Sequence, residues 1–127
     1  FGRGGEEIRT LARAGVRFRV IPGITSGIAA PAMAGIPLTD RSVNSTLAFL
    51  TGHEVSGESR IDWRAMVAAF PVLVFYMGAR LLPDIARRLL AAGMEASTPV
   101  AVIYAATWPR EEIASGTLAD VLDGSLE

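Results

Sequence analysis

Two glycine-rich segments, one helix apart, restrict how the first third of the chain can fold. They are residues 1–7 (FGRGGEE) and residues 20–26 (VIPGITS). Between them, Ile8 and Leu11 are spaced as on one face of an amphipathic helix, and Gly15 follows where such a helix ends. The pattern predicts a tight turn, a helix, a short strand that ends at the second turn, and a second helix that begins there.

Glycine allows the backbone of both turns to adopt positive φ and to approach a ligand closely. Arg3 is the only charged residue inside the first glycine run, and its planar guanidinium suits a carboxylate or a phosphate. Glu6 and Glu7 follow where negative charge stabilises the start of a helix. Taken singly, each segment is more often an ordinary helix start than a ligand-binding turn.

Composition excludes several kinds of chemistry. The 127 residues contain no cysteine, which excludes disulfides, thiolate metal ligands and cysteine nucleophiles. All twelve basic residues are arginine, so Schiff-base lysines and the lysine of phosphate-binding loops are excluded too. His53 is the only histidine, and no metal site is expected. A formal net charge of −1 gives no reason to expect a nucleic-acid or membrane surface.

The rest of the chain alternates strand and helix signals, which predicts an α/β layer fold with a largely parallel or mixed sheet. Continuous apolar runs at residues 71–77 and 99–104 are typical of strands buried on both faces. Helices are expected after the capping residue Asp62 and between Gly78 and Gly93. The other expected elements are strands at 46–50 and 111–115, a loop at 52–59 and a short helix at 118–122.

The two glycine-rich segments and five further motifs follow one another in the order found in a known family. The further motifs are residues 34–41 (AGIPLTDR), 51–54 (TGHE), 76–78 (YMG), 98–102 (TPVAV) and 115–118 (SGTL). From its first residue to about Leu122, the chain resembles the tetrapyrrole methylases, which use S-adenosylmethionine. Within that family it resembles the enzymes that C-methylate uroporphyrinogen III.

The resemblance implies two α/β domains with the ligands in the cleft between them. It assigns residues 1–37 to the tail of the first domain and residues 38–127 to most of the second, without its last strand. The chain is therefore expected to be the C-terminal portion of a longer enzyme and to be inactive alone. The enzymes it resembles are homodimers. A cytoplasmic setting is expected, because no apolar run reaches the length needed to cross a bilayer.

The reaction implied is transfer of methyl groups from S-adenosylmethionine to C2 and C7 of uroporphyrinogen III. The product would be precorrin-2, a precursor of siroheme and cobalamin, with S-adenosylhomocysteine as by-product. Two alternatives stay open. Another precorrin methyltransferase of the same family would share the fold and cofactor but not the substrate, and a non-catalytic binding or assembly fragment would share the fold alone.

For the substrate, the resemblance points to Arg3, Glu6 and Arg41. Uroporphyrinogen bears eight carboxylates, and paired hydrogen bonds from arginine suit such groups. Without the resemblance, the sequence favours solvated loop arginines at Arg3 and Arg41, and the family match reverses that preference. Arg3 and His53 are the candidates for a catalytic role. His53 and its neighbour Glu54 suit general acid–base chemistry, but capping or orienting of the following loop fits them as well.

For the cofactor, the resemblance points to Thr25 and Ser26 in the second turn, to Tyr76 and Met77 at the end of one strand, and to Ala106 after the next. Ligands bind beyond the carboxyl ends of strands in open α/β sheets, which agrees with these positions. Ala106 departs from the family pattern, in which a glycine precedes the threonine. The added methyl group weakens the cofactor contact unless φ is negative at this residue.

Overall fold

Helices and strands alternate along the chain in the computed structural model, which describes residues 4–55 and 59–127. The helices of this part are α1 (Gly5–Arg13), α2 (Ser26–Met33), α3 (Trp63–Ala69), α4 (Leu82–Ala91) and α5 (Leu118–Asp123). The strands are β1 (Ala48–Thr51), β2 (Leu73–Tyr76), β3 (Pro99–Tyr104) and β4 (Glu112–Thr117), with short 3-10 helices at Gly52–Val55 and Ala79–Leu81. The expected α/β class is confirmed.

Parallel and antiparallel pairing occur in separate sheets of the described chain. Strand β1 pairs in parallel with β2, with Leu50 opposite Phe75 and Thr51 opposite Tyr76. Strand β3 pairs with β4 in antiparallel register. Each sheet has two strands, so every strand here has a single hydrogen-bonded neighbour. Parallel and antiparallel pairing are therefore both present, but in two separate sheets and not in one mixed sheet.

Local signals in the sequence set the helix boundaries. The Asp62 carboxylate accepts a hydrogen bond from the Ala65 amide and caps α3. Pro83 lies in the first turn of α4, where its missing amide hydrogen costs nothing. The turns that end α1 and α4 place Gly15 and Gly93 in the left-handed region, with φ of 66° and 103°.

The hydrophobic core lies entirely in the second part of the chain. Helix α4 packs against α3 and α5, and its buried face carries Ile85, Ala86 and Leu89. The other buried apolar side chains are Leu50, Val55, Trp63, Leu118 and Val121. By contrast, α1 buries none of its residues, and α2 buries only Gly27.

The short strand expected before the second glycine turn is wrong, because residues 16–25 form no helix or strand. A strand needs a hydrogen-bonding neighbour, and none of the described residues pairs with this segment. Its apolar side chains remain in solvent, with Val20 60% and Ile21 75% exposed.

Two expectations about burial and one about a loop also need correction. Strands β2 and β3 are half-buried rather than buried on both faces, and each has only one neighbouring strand in its sheet. The expected loop at 52–59 begins instead with the 3-10 helix Gly52–Val55, and its residues 56–58 lie outside the described part of the chain. None of the helices described is long and apolar enough to cross a membrane.

Candidate functional site

The start of α2 meets the end of β2 through the side chains of two expected cofactor residues. The hydroxyl groups of Thr25 and Tyr76 share a hydrogen bond of 2.7 Å. Thr25 is the N-cap residue of α2, yet its side chain makes no capping hydrogen bond. The Thr25 hydroxyl bonds Tyr76 instead of an amide of the helix.

Close packing at this junction depends on Gly27. A Cβ atom at Gly27 would lie 2.7 Å from Cζ of Tyr76 and 2.9 Å from Cε1 of Phe49, well inside van der Waals contact. The rings of Phe49 and Tyr76 in turn pack against each other with centroids 5.8 Å apart. Glycine thus lets the first turn of α2 rest directly on these two aromatic side chains.

A concavity of about 660 Å³, open to solvent, lies beside this junction and is lined by Gly23, Ile24, Thr25 and Ile28. Ser26 is exposed at the first helical position. Ile24 leaves 81% of its surface exposed and Ile28 leaves 48%. The surface therefore offers apolar side chains, the exposed Ser26 and glycine backbone to a small organic ligand.

The carboxyl ends of β1 and β2 lie side by side, as their parallel pairing requires. A Cβ atom at Gly52 would lie 2.8 Å from the Met77 carbonyl oxygen and 3.0 Å from Cα of Gly78, so the two backbones touch just past the strands. Met77 has φ of 56° and leaves 69% of its surface exposed. We call this junction, made of Gly52, Met77 and Gly78, the strand-end corner.

His53 and Glu54 lie in the 3-10 helix that leaves the strand-end corner. Nδ1 of His53 lies 3.1 Å from the Thr51 hydroxyl, and the His53 amide donates to the same oxygen at 3.3 Å. The imidazole is exposed. A ring oriented by a neighbouring hydroxyl and open to solvent can exchange a proton with a ligand at the corner, although these contacts also suit an orienting role for the turn.

Ala106 lies at the tip of the β3–β4 hairpin, in the other sheet. Its φ is not positive, whereas Ala105 and Thr107 on either side have φ of 49° and 71°. The methyl group of Ala106 therefore adds no backbone strain. The Thr107 amide donates to the Glu111 carboxylate at 2.7 Å, which helps to hold the tip.

Of the expected substrate residues, Glu6 and Arg41 lie in the described part of the chain, and both are exposed. Arg41 follows Asp40 in a tight turn closed by the Asp40–Asn44 bridge. The Ser42 hydroxyl and amide both donate to the Asp40 carboxylate and lower its pKa below the ordinary value. Within residues 4–55 and 59–127, no ion pair involves the Arg41 guanidinium.

Glu6 is exposed in the first turn of α1, and its carbonyl oxygen accepts from the Thr10 hydroxyl at 2.9 Å. Arg3 lies outside the described residues. No hydrogen bond among the described residues joins Glu6 to Arg41. The structure therefore brings Thr25 and Tyr76 together and places Met77 next to the His53 turn, while the substrate residues stay separate predictions.

The side chain that sequence reasoning missed near this site is Arg88. Its Nη2 atom donates to the Val55 carbonyl at 3.2 Å, and its guanidinium lies over the Trp63 ring. An arginine in the last turn of an amphipathic helix gives no sign that it bonds a carbonyl 33 residues away. Only the packing of α4 on the 3-10 helix reveals the contact.

Comparison with known proteins gives the chain its family. The family model for tetrapyrrole (corrin/porphyrin) methylases matches residues 1–122. The chain therefore belongs to the tetrapyrrole methylase family. The resemblance drawn from the seven motifs is thereby confirmed at the level of the family.

Relatives within this family are similar along nearly the whole chain. A uroporphyrinogen-III C-methyltransferase from Synechocystis sp. is 45% identical over 124 residues, which are 96% of this chain and 47% of that protein. A siroheme synthase from Pseudomonas putida is 46% identical over 97% of this chain and 27% of its own length. The chain thus spans half or less of these curated relatives.

Solved structures of tetrapyrrole methylases superpose well on this chain. The Thermus thermophilus uroporphyrin-III C-methyl transferase, complexed with S-adenyl homocysteine, gives a TM-score of 0.80 at 36% identity, covering 100% of this chain and 55% of that one. A cobalt precorrin-4 methyltransferase gives a TM-score of 0.77 at 28% identity, over 94% of this chain and 51% of its own. The expected tetrapyrrole methylase-like α/β fold is confirmed.

Proposed function

We propose that the chain forms part of an S-adenosylmethionine-dependent uroporphyrinogen-III C-methyltransferase. The observation that carries the proposal is the Thr25–Tyr76 hydrogen bond, which brings together two expected cofactor residues that are 51 positions apart in the sequence. The family match and the 45% identity to the Synechocystis methyltransferase support it. The Thermus relative bound to the demethylated cofactor supports the choice of cofactor.

In this proposal S-adenosylmethionine lies along the strand-end corner and the start of α2. The exposed Met77 side chain offers a polarizable thioether to an adenine ring. Thr25, Ser26 and the glycine backbone of the second turn offer polar groups beside the apolar concavity. Ala106 at the hairpin tip is the last member of the proposed cofactor set, and its φ is not positive, so its methyl group adds no backbone strain.

The proposed substrate is uroporphyrinogen III, methylated at C2 and C7 to give precorrin-2. Arg41, with Arg3, would bind its carboxylates through the paired hydrogen bonds that a guanidinium provides. The Asp40–Asn44 turn supports this role for Arg41 because it holds the neighbouring backbone by several hydrogen bonds. Glu6 at the start of α1 would accept from a pyrrole N–H group.

The chemistry proposed is direct displacement at carbon. An electron-rich pyrrole carbon attacks the methyl group, the carbon–sulfur bond breaks, and S-adenosylhomocysteine leaves with the bonding pair. The macrocycle then loses a proton to a base, for which His53 is a candidate in this chain. Since the sulfonium is already a good leaving group, most of the rate enhancement comes from positioning the two ligands.

Two ligands titrated separately test the proposal. In the protein as its gene encodes it, Arg41→Ala should weaken uroporphyrinogen III binding by roughly 10- to 100-fold, the effect of losing a hydrogen bond to a charged group. S-adenosylhomocysteine affinity should change little. Arg41→Lys should recover part of the loss, because a point charge cannot reproduce the guanidinium fork.

Arg64→Ala removes an exposed arginine from α3 and is the matched control, with no expected effect on either ligand. If Arg41→Ala leaves the affinity for both ligands unchanged, the substrate assignment is wrong. If the unsubstituted protein binds neither ligand, the proposed function itself is wrong.

The similarity to cobalt precorrin-4 methyltransferase supports a second candidate, methylation of a later precorrin. Product analysis separates the two, because only the first candidate converts uroporphyrinogen III to precorrin-2. We also propose that residues 1–127 alone are inactive, since they span half or less of the curated relatives. Methyl transfer by that chain alone would contradict this.

A further inference from the structure

Arg88 joins α4 to the turn that leaves the strand-end corner. Its Nη2 atom donates to the Val55 carbonyl at 3.2 Å, and Val55 is the last residue of the 3-10 helix Gly52–Val55. The Val55 side chain is buried in the core, only 6% exposed. The guanidinium thus satisfies a carbonyl that ends a short helix, which needs a donor from outside the helix.

The same guanidinium is held in place by Trp63. Cζ of Arg88 lies 5.7 Å from the Trp63 ring, within the range of a cation–π interaction. The indole is fixed in turn, because Nε1 donates to the Ser59 hydroxyl at 3.2 Å and the ring stacks on Phe75 at 6.4 Å. Because the Arg88 guanidinium is held against the face of the Trp63 ring, the direction of its hydrogen bond to the Val55 carbonyl is fixed.

This contact bears on the strand-end corner through two short steps. The 3-10 helix begins at Gly52, whose backbone touches the Met77 carbonyl and Gly78. Phe75, on which Trp63 stacks, lies two residues before Met77 in β2. A shift of Val55 would therefore displace Met77 both through the Gly52 backbone contact and through the stack of Trp63 on Phe75.

We infer that Arg88 is a positioning residue that holds the Gly52–Val55 turn and, through it, Met77 in the geometry that binds the cofactor. The inference rests on the proposed function for the identity of the ligand. Arginine suits this role because its planar group can stack on Trp63 and donate to Val55 at once. An ammonium group can donate to the carbonyl but cannot stack in the same way.

Arg87 offers a matched control one residue away. It lies on the exposed face of α4, where it forms a surface ion pair with Asp84. Both arginines contribute one charge and one helical position, but only Arg88 contacts the turn. Comparing Arg88→Met with Arg87→Met in the protein as its gene encodes it therefore removes the effects of charge and of helix propensity.

Amide hydrogen exchange tests the contact without any ligand. In Arg88→Met, exchange of peptides covering residues 50–55 should be faster by roughly tenfold, the effect of losing one hydrogen bond to a charged donor. The exchange rate in Arg88→Lys should lie between those of Arg88→Met and the unsubstituted protein. The rate in Arg87→Met should equal that of the unsubstituted protein. If exchange in 50–55 is the same in Arg88→Met, Arg88 does not hold the turn and the inference is wrong.

Calorimetry with S-adenosylhomocysteine tests the consequence. Affinity should fall by about 5- to 20-fold in Arg88→Met, with partial recovery in Arg88→Lys and no change in Arg87→Met. Titrations well below each variant's unfolding temperature separate this effect from general destabilisation. Should Arg88→Met fail to fold, the comparison of Arg88→Lys with Arg87→Lys serves in its place.

Faster exchange with unchanged affinity would overturn the positioning role while leaving the contact itself intact. Absence of S-adenosylhomocysteine binding by the unsubstituted protein would overturn the proposed function. The hydrogen-exchange result alone would then show whether Arg88 holds the Gly52–Val55 turn.

Discussion

Thr25 and Tyr76 are 51 residues apart in sequence, and their hydroxyl groups lie 2.7 Å apart. This hydrogen bond joins the helix that follows the second glycine turn to the end of strand β2. The core lies on the β2 side of the bond, and α1 buries none of its residues. The bond is thus a polar contact between a weakly packed segment and the packed part of the chain.

A double-mutant cycle should measure this contact. Thr25→Val and Tyr76→Phe each remove one hydroxyl and keep most of the side-chain volume. We expect an interaction energy of about 0.5–1.5 kcal/mol from urea unfolding, the usual net contribution of a hydrogen bond. Pairing Tyr76→Phe with Thr10→Val, an exposed residue of α1, is the control and should give additive changes.

Gly27 should tolerate a methyl group far less well than Gly23. Alanine at position 27 would overlap Tyr76 and Phe49, whereas a Cβ at Gly23 meets nothing within 4 Å. Gly27→Ala should lower the free energy of unfolding by about 1–3 kcal/mol, the range for overpacked sites. Gly23→Ala should have a smaller effect. Equal unfolding free energies for the two variants would contradict the close packing of α2 on β2.

Local structure followed from the sequence because its causes are local. The capping carboxylate of Asp62 and the glycines after α1 and α4 act within a few residues of the helix ends. The positions of these helix ends could therefore be predicted from the sequence. The alternation of helices and strands could be predicted for the same reason. The expected strand before Pro22 was wrong because its existence depends on a neighbour, which no pattern within the segment reveals.

The candidate site was predictable only where the family motifs cover it. The family motifs predicted Thr25, Tyr76 and Met77 as residues of one site, and the structure brings the first two into contact. Arg88 belongs to no motif, and its partners Val55 and Trp63 lie 33 and 25 positions upstream. Such contacts depend on how α4 packs against α3 and the 3-10 helix Gly52–Val55. The spacing of apolar residues in the sequence does not determine that packing.

Acid should weaken the last helix through Asp120. Hydrogen bonds from the Thr117 hydroxyl and amide hold the pKa of this carboxyl below its ordinary value of 3.8. Because the folded pKa is the lower one, the carboxylate stabilises the fold above the unfolded pKa. That contribution is lost as the pH falls through the folded pKa.

Thr117→Val removes the hydroxyl whose hydrogen bond is the largest single cause of the lowering, so the pKa of Asp120 should rise toward 3.8. Carboxyl carbon NMR titration would measure the rise directly. The difference in unfolding free energy between the unsubstituted protein and Thr117→Val should be largest at neutral pH and should shrink below about pH 4. A difference that stays constant from pH 7 to pH 2 would show that the hydroxyl does not act through the carboxylate.

The hairpin tip should prefer glycine at position 105 over position 106. Ala105 has φ of 49°, a left-handed conformation that costs a residue with a Cβ atom roughly 1–2 kcal/mol, whereas φ of Ala106 is not positive. Ala105→Gly removes that strain, which outweighs the roughly 0.4–1 kcal/mol lost through the greater freedom of the unfolded chain.

Ala106→Gly incurs only that entropic loss. Because both variants incur that loss, it cancels, and Ala105→Gly should unfold with a free energy roughly 1–2 kcal/mol higher than Ala106→Gly. Because the Ala106 methyl group imposes no strain, Ala106→Gly should also leave S-adenosylhomocysteine affinity within about twofold of the unsubstituted protein. A large gain in affinity on Ala106→Gly would mean that the methyl group obstructs the ligand itself, and that the backbone conformation alone does not decide how this position contacts the cofactor.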